Sequence, residues 1–79
     1  MNPVEEQVVG LIADVLRERN PDVSVSEASA MGDPTEWDSL AFVKIFLTVS
    51  DHFGLEVSDD DAISFMSVSE IVDFVGERT

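Results

Sequence analysis

The chain has 79 residues, of which 44% are hydrophobic, and it contains no cysteine. This composition predicts one small globular domain over residues 1–79, held together by its core rather than by disulfides or thiolate metal sites. Seventeen acidic residues against four Lys and Arg give a formal net charge of −13, which disfavours nucleic acid and anionic membranes and favours partners with basic patches. Without a signal-peptide pattern or an apolar stretch of about 20 residues, we expect a cytoplasmic protein. We also expect it to be a monomer.

The first predicted element is a helix that begins near the N-terminus. Asn2 is the expected N-cap, Pro3 occupies the first helical position and Glu5 reaches back from the third. Apolar residues then recur at helical spacing and form one face: Val4, Val8, Leu11, Ile12, Val15 and Leu16. The pair Asn20-Pro21 ends the helix.

A long connection without sustained periodicity follows from Pro21 to Asp38. Val23, Val25 and Met31 are available to pin it to the core. A connection of this length in a compact domain needs a reason, which is either a function or a short helix that the pattern does not reveal.

The second helix is predicted from Ser39 to Phe53, with Gly54 just after its end. It carries two apolar stripes. The first is predicted to face the core and consists of Phe42, Phe46, Val49 and Phe53, with Ile45 at its edge.

The second stripe lies beside Ser39 and consists of Leu40, Val43 and Leu47. Two interpretations remain open for it. Either the long loop covers this stripe as a satellite of the core, or the stripe is an exposed docking strip for a partner. In the second case the polar residues Lys44, Thr48 and Asp51 would border it.

The last two helices are indicated by capping signals. Ser58 with Asp61 predicts the start of a short third helix that runs through Phe65. Ser67 with Glu70 opens a final helix, whose inward residues are Val68, Ile71, Val72 and Val75. No segment shows strand alternation, so the predicted fold is all-α, a four-helix bundle with a long loop between helices 1 and 2.

Ser39 is the first candidate for chemistry, but a catalytic role is excluded by spacing. The only histidine, His52, lies thirteen residues later on the same helix, about 20 Å along its axis. A general base must lie within about 3 Å of the hydroxyl that it activates. No metal site is predicted either, because the acidic run 59–61 lacks the glycine and the terminal glutamate of a calcium-binding loop. From residue types alone, Asp38-Ser39 is a helix cap.

The octet "EWDSLAFV" at residues 36–43 resembles the attachment motif of acyl carrier proteins and related peptidyl or aminoacyl carriers. The motif Asp38-Ser39-Leu40 is short, but it stands at the head of the second helix of an acidic four-helix domain. The resemblance extends over nearly the whole chain, through the ending "DHFGLEV" and the closing "SVSEIVDFV".

This resemblance implies a carrier rather than an enzyme. Ser39 would carry covalent 4′-phosphopantetheine, transferred from coenzyme A by a separate magnesium-dependent phosphopantetheinyl transferase. The thiol of that group would hold an acyl or aminoacyl group as a thioester for a loading ligase and downstream acyl-processing enzymes of fatty acid, polyketide or nonribosomal peptide biosynthesis. Asp38 and Leu40 would belong to the recognition signature. The partner face is predicted to contain Trp37, Leu40, Val43, Lys44, Leu47 and Asp51.

Some features depart from the carriers of fatty acid synthesis. The second helix carries few acids, and Trp37 replaces the small residue that often precedes Asp-Ser-Leu. The form "WDSL" resembles free-standing carriers of specialised pathways. The resemblance also implies a shelter for a bound chain in the interior near Phe42, Phe46 and Ile63, although the phenylalanines argue against a long chain there. The alternative function is an unmodified acidic interaction module that binds through Leu40, Val43 and Leu47.

Overall fold

A computed structural model of the chain describes residues 3–78. Within these residues it contains three α-helices and one 3-10 helix: α1 Pro3–Arg17, α2 Ser39–His52, the 3-10 helix Asp59–Phe65 and α3 Val68–Arg78. Extended pairing in this part of the chain is limited to isolated bridges of Ala30 with Asp33 and with Ser67. The predicted all-α fold with a short third helix is confirmed. The predicted cap Asn2 lies outside the described residues.

Helix α1 lies between α2 and α3 and contacts both. The 3-10 helix also contacts both α2 and α3. The apolar face of α1 is buried as its spacing predicts, with Val8, Ile12 and Leu16 fully inaccessible to solvent. Burial of this face supplies most of the stability of such a helix, because a helix of 15 residues is marginal on its own. No helix between residues 3 and 78 is long and apolar enough to cross a membrane.

The most buried line of α2 differs from the predicted one. Ala41, Ile45 and Val49 are buried, with Ile45 and Val49 at 0% exposure. Phe42, Phe46 and Phe53 pack against the core but are only partly buried. The prediction was correct for Val49 and wrong in placing Ile45 at the edge of the face. The reason is that Ile45 lies opposite the exposed Val43 and Leu47 on the helix, at 100° per residue, and therefore falls at the centre of the buried face.

Aromatic rings fill the space between α2, the 3-10 helix and α3. The Phe65 ring is fully buried, and its centroid lies 4.8 Å from that of Phe46 and 5.0 Å from that of Phe74, both in edge-on geometry. Such pairs contribute about 0.5–1.5 kcal/mol beyond their area burial. Phe74 itself is buried and was not among the predicted inward residues of α3.

Local capping signals were correct. The Asp61 carboxylate accepts a hydrogen bond from the Ser58 backbone N–H at 2.9 Å, at the start of the 3-10 helix. The Ser67 hydroxyl accepts from the Glu70 N–H at 3.1 Å, at the start of α3. Gly54 has a φ of +64° directly after the Phe53 cap of α2, a conformation that glycine adopts without steric cost.

The loop between α1 and α2 contains no helix and is held by main-chain hydrogen bonds. Met31 N–H donates to the Met66 carbonyl at 2.8 Å, and Val68 N–H donates to the Ser29 carbonyl at 3.0 Å. These bonds attach the loop to the junction between the 3-10 helix and α3. Val23 is buried and anchors the start of the loop, as predicted. The loop therefore approaches α2 from a fixed position.

Candidate functional site

Ser39 is the first residue of α2, and its side chain is exposed to solvent. The preceding Asp38 has extended backbone angles, and its Oδ1 accepts a hydrogen bond from the Ala41 N–H at 3.0 Å. Asp38 is therefore the cap of the helix, and Ser39 is not. Within the described part of the chain the Ser39 hydroxyl has no hydrogen-bond partner, so it is accessible for modification.

The turn just after α1 contacts the segment around Ser39 through charged and polar side chains. Arg19 pairs with Asp38, and the Asn20 side-chain amide donates to a Glu36 carboxylate oxygen at 2.9 Å. Lys44 pairs with Glu18 across 3.2 Å. Three consecutive residues, 18–20, thus contact the chain both before and after the first residue of α2.

These contacts shift the titration of two carboxyl groups. The hydrogen bond from the Ala41 N–H holds the pKa of Asp38 below its ordinary value of 3.8; Arg19 acts in the same direction and burial opposes both. The hydrogen bond from Asn20 lowers the pKa of Glu36 below 4.5. Both groups are therefore ionised at neutral pH.

Trp37 is fully buried, with 0% exposure, so the prediction that it contacts partners is wrong. Its backbone N–H donates to the Pro34 carbonyl at 3.0 Å, and its carbonyl accepts from the Gly32 N–H at 2.8 Å. These bonds close a turn that directs the indole inward. Among residues 3–78, the buried indole Nε1 has no hydrogen-bond partner. Trp37 acts as the core anchor of the segment that presents Ser39.

The second apolar stripe of α2 is exposed, so the loop does not cover it. The exposed fractions are 58% for Leu40, 49% for Val43 and 59% for Leu47. The structure adds two further exposed apolar residues, Ile63 at 74% and Met66 at 40%. The exposure of Ile63 contradicts its predicted place in the interior. The 3-10 helix turns Phe65 inward, and Ile63, two residues before it, points to solvent.

The remaining predicted site residues lie along α2. Lys44 and Asp51 are exposed, and Thr48 is partly buried. Since α2 is continuous, His52 lies about 20 Å from Ser39, with its Nε2 3.3 Å from the Gln7 side-chain oxygen. Between residues 3 and 78 no group of three His, Cys, Asp or Glu side chains is placed to hold a metal ion. Ser39 is thus an exposed hydroxyl at a helix start that lacks its own base.

The comparisons with known proteins agree with this geometry. The family model described as a phosphopantetheine attachment site matches residues 6–75. The chain is 32% identical over 74 residues to the acyl carrier protein of Lactobacillus johnsonii, covering 90% of this chain and 91% of the relative. It is 33% identical over 75 residues to the acyl carrier protein of Nitratidesulfovibrio vulgaris, covering 95% and 96%. Against the acyl carrier protein of Chlamydia trachomatis serovar D the identity is 29%, covering 95% of each chain.

Family match and fold lead to the same conclusion. The match extends over α2, the 3-10 helix and most of α1 and α3, so it includes Ser39 and the exposed residues beside it. The chain therefore belongs to the acyl carrier protein family, whose prosthetic group is a covalently bound 4′-phosphopantetheine.

Proposed function

We propose that Ser39 is the attachment residue and that the protein carries an acyl or aminoacyl group and presents it to partner enzymes. The observation that supports this is the position of Ser39, exposed at the first residue of α2 within the matched region and directly after the capping Asp38. When bound, the prosthetic group supplies a flexible arm whose terminal thiol forms a thioester with the carried group. All remaining roles belong to side chains of this protein or of its partners.

The surroundings of Ser39 suit a phosphodiester. Ser39 Oγ supplies the ester oxygen, and the positive end of the α2 dipole favours a nearby negative charge. The carboxylate of Asp38 is engaged with the Ala41 N–H and with Arg19, which reduces its repulsion of a phosphate on the next residue. The transferase must supply the base that removes the Ser39 proton, because His52 lies at the opposite end of α2.

We assign Leu40, Val43 and Leu47 to contact with partner enzymes, with Lys44 and Asp51 at the border of this face. The partners would be the phosphopantetheinyl transferase, an acyl- or aminoacyl-loading ligase and the downstream acyl-processing enzymes. The shortage of acids on α2, and Trp37 in place of the small residue that often precedes Asp-Ser-Leu, support service in a specialised pathway rather than in ordinary fatty acid synthesis.

Intact-mass measurement tests the attachment residue. Purified protein is incubated with coenzyme A, magnesium and a broad-specificity phosphopantetheinyl transferase, alongside an active control carrier. We expect wild type to gain the mass of one phosphopantetheinyl group and Ser39→Ala to gain none. The matched control is Ser69→Ala, since Ser69 is also an exposed serine in the first turn of a helix. It should gain the group as wild type does.

Two results would contradict the proposal. If wild type gains no mass while the control carrier does, the attachment proposal fails and the unmodified interaction module takes its place. If Ser39→Ala still gains one group, the attachment residue is another hydroxyl.

A further inference from the structure

We infer that Arg19 binds the phosphodiester of the prosthetic group and so restricts the direction in which the arm leaves α2. This inference rests on the proposed attachment to Ser39 and assigns a further binding residue to the same site. Arg19 lies in the turn just after α1, outside the helix that carries the attachment residue.

The position of Arg19 is set by its two neighbours in the chain. Glu18 pairs with Lys44 of α2 across 3.2 Å. The Asn20 side-chain amide donates to a Glu36 carboxylate oxygen at 2.9 Å. The turn that carries Arg19 is therefore tied at two points to the segment around the attachment residue.

The guanidinium of Arg19 has donors that the protein does not use. Its Nη1 pairs with Asp38 Oδ2, while the other carboxylate oxygen of Asp38 accepts a hydrogen bond from the Ala41 N–H at 3.0 Å. A guanidinium has five N–H donors on three nitrogens. Within residues 3–78 the Nε and Nη2 of Arg19 have no hydrogen-bond partner, and its side chain is 44% exposed. A ligand can therefore reach these two nitrogens.

A phosphodiester on Ser39 is attached to the residue that directly follows the partner of Arg19. The Cα atoms of Asp38 and Ser39 are about 3.8 Å apart, as in any pair of consecutive residues. The planar fork of a guanidinium matches the oxygens of carboxylates and phosphates, and its several donors allow it to bind both at once. Arg19 is thus suited to bridge Asp38 and the phosphodiester.

The local charge favours this contact. Loading adds a negative charge beside the ionised Asp38, in a protein whose formal net charge is already −13. Of the four basic residues, Arg19 is the one that pairs with a neighbour of Ser39 in the described part of the chain. Lys44 lies five residues along α2, about 7.5 Å of rise and about 140° around the helix axis from Ser39. Arg78 covers the ring of Phe74 on α3. Arg19 is therefore the cation available to the phosphodiester.

The consequence is a preferred exit direction for the arm. A phosphate that is esterified to Ser39 and also bound by Arg19 has fewer orientations open to it than one that contacts only water. The arm then leaves α2 on the side of the turn after α1, and its free rotation begins beyond the phosphate.

NMR of the loaded protein tests this contact without depending on activity. Isotope-labelled wild type is loaded by the transferase, and the Nε–H signals of Arg17, Arg19 and Arg78 are compared before and after loading, with Arg19→Gln providing the assignment. We expect the Arg19 Nε–H signal to shift and to exchange with water at least about threefold more slowly after loading, because a charge-assisted hydrogen bond to phosphate restrains the guanidinium. The signals of the other two arginines should not change.

Arg19→Gln and its matched control Arg17→Gln provide a second test. Both arginines are exposed, each change removes one positive charge, and Arg17 has no ion pair within residues 3–78. We expect the phosphorus NMR signal of loaded Arg19→Gln to move from its wild-type position. Loading should also lower the Tm of Arg19→Gln by about 2–4 °C more than it lowers that of wild type. Arg17→Gln should behave as wild type in both measurements.

The outcomes separate this inference from the attachment proposal. If wild type gains no group, the attachment proposal fails and this inference fails with it. If wild type gains the group but its Arg19 Nε–H signal is unchanged, or if Arg19→Gln and Arg17→Gln respond alike to loading, the inference about Arg19 alone is overturned and Ser39 keeps its role. If the transferase does not load Arg19→Gln, the exchange measurement on wild type decides.

Discussion

Two neighbouring residues of α2 provide a sharp test of how the helix divides its faces. Ile45 is fully buried, whereas Leu47, two residues later, is 59% exposed. Ile45→Ala removes three carbon atoms from the core, which at about 0.8 kcal/mol per methylene is a transfer loss of about 2.4 kcal/mol. A residual cavity adds to this, so the expected loss of unfolding free energy is about 2–5 kcal/mol. Leu47→Ala should change the unfolding free energy by no more than about 0.5 kcal/mol.

The difference is large for a protein of this size. A domain of 79 residues is stable by about 4–12 kcal/mol, so Ile45→Ala removes a substantial part of the total. Each kcal/mol lowers the Tm of such a domain by about 4–8 °C, which predicts a decrease of at least about 8 °C for Ile45→Ala and at most about 4 °C for Leu47→Ala. Urea denaturation and thermal melting of the unmodified protein, followed by circular dichroism, measure both. Equal losses in the two variants would refute the assignment of the faces.

Further predictions concern the core and the carboxyl groups around Ser39. Phe65→Ala should cost about 3–5 kcal/mol by chemical denaturation, because this ring is fully buried between two others. Asn20→Ala should raise the pKa of Glu36 toward 4.5 in an NMR titration, because the Asn20 amide is the largest cause of its depression. Arg19→Ala should raise the pKa of Asp38 only partly toward its ordinary value, because the hydrogen bond from the Ala41 N–H lowers this pKa more than Arg19 does. Since the pKa of Asp38 is lowered in the folded protein, its ionised carboxylate stabilises the fold fully above pH 3.8, its ordinary pKa. This stabilisation is lost as the pH falls through the lower pKa of the folded protein. The unfolding free energies of wild type and Arg19→Ala, compared over this acid range, measure it.

Most of the helical framework could be predicted because its signals are local. The face of α1 follows from apolar residues three and four apart, and the starts of the 3-10 helix and α3 follow from Ser58 and Ser67. The second apolar stripe of α2 also followed from the helical period, but whether the loop covers Leu40 and Leu47 stayed open, and the structure shows that both are exposed. These predictions need only the helical period and the capping rules.

The burial of Trp37 and the contacts of α1 with the start of α2 could not be predicted in this way. The turn that directs Trp37 inward depends on a hydrogen bond from the Gly32 N–H, and the loop in turn depends on contacts with Met66 and Val68. The pairing of Arg19 with Asp38 spans 19 residues of irregular chain. Neither segment has a period that would reveal its partner, so a charged pair at this distance in sequence gives no signal before the fold is known.

These same long-range contacts explain how an exposed serine acquires a defined position. Trp37 is anchored in the core two residues before Ser39, and Ala41 is buried two residues after it. Ser39 therefore lies between two buried positions, and in the function we propose, the reach needed to deliver a carried group would come from the prosthetic arm rather than from motion of the helix. Leu40 and Val43 lie within four residues of Ser39, which is about 6 Å of helix rise. With the arm on Ser39, as we propose, a partner that contacts these residues would meet the base of the arm at a set distance and on one side of α2, which is the requirement for guiding a flexible arm into an active site.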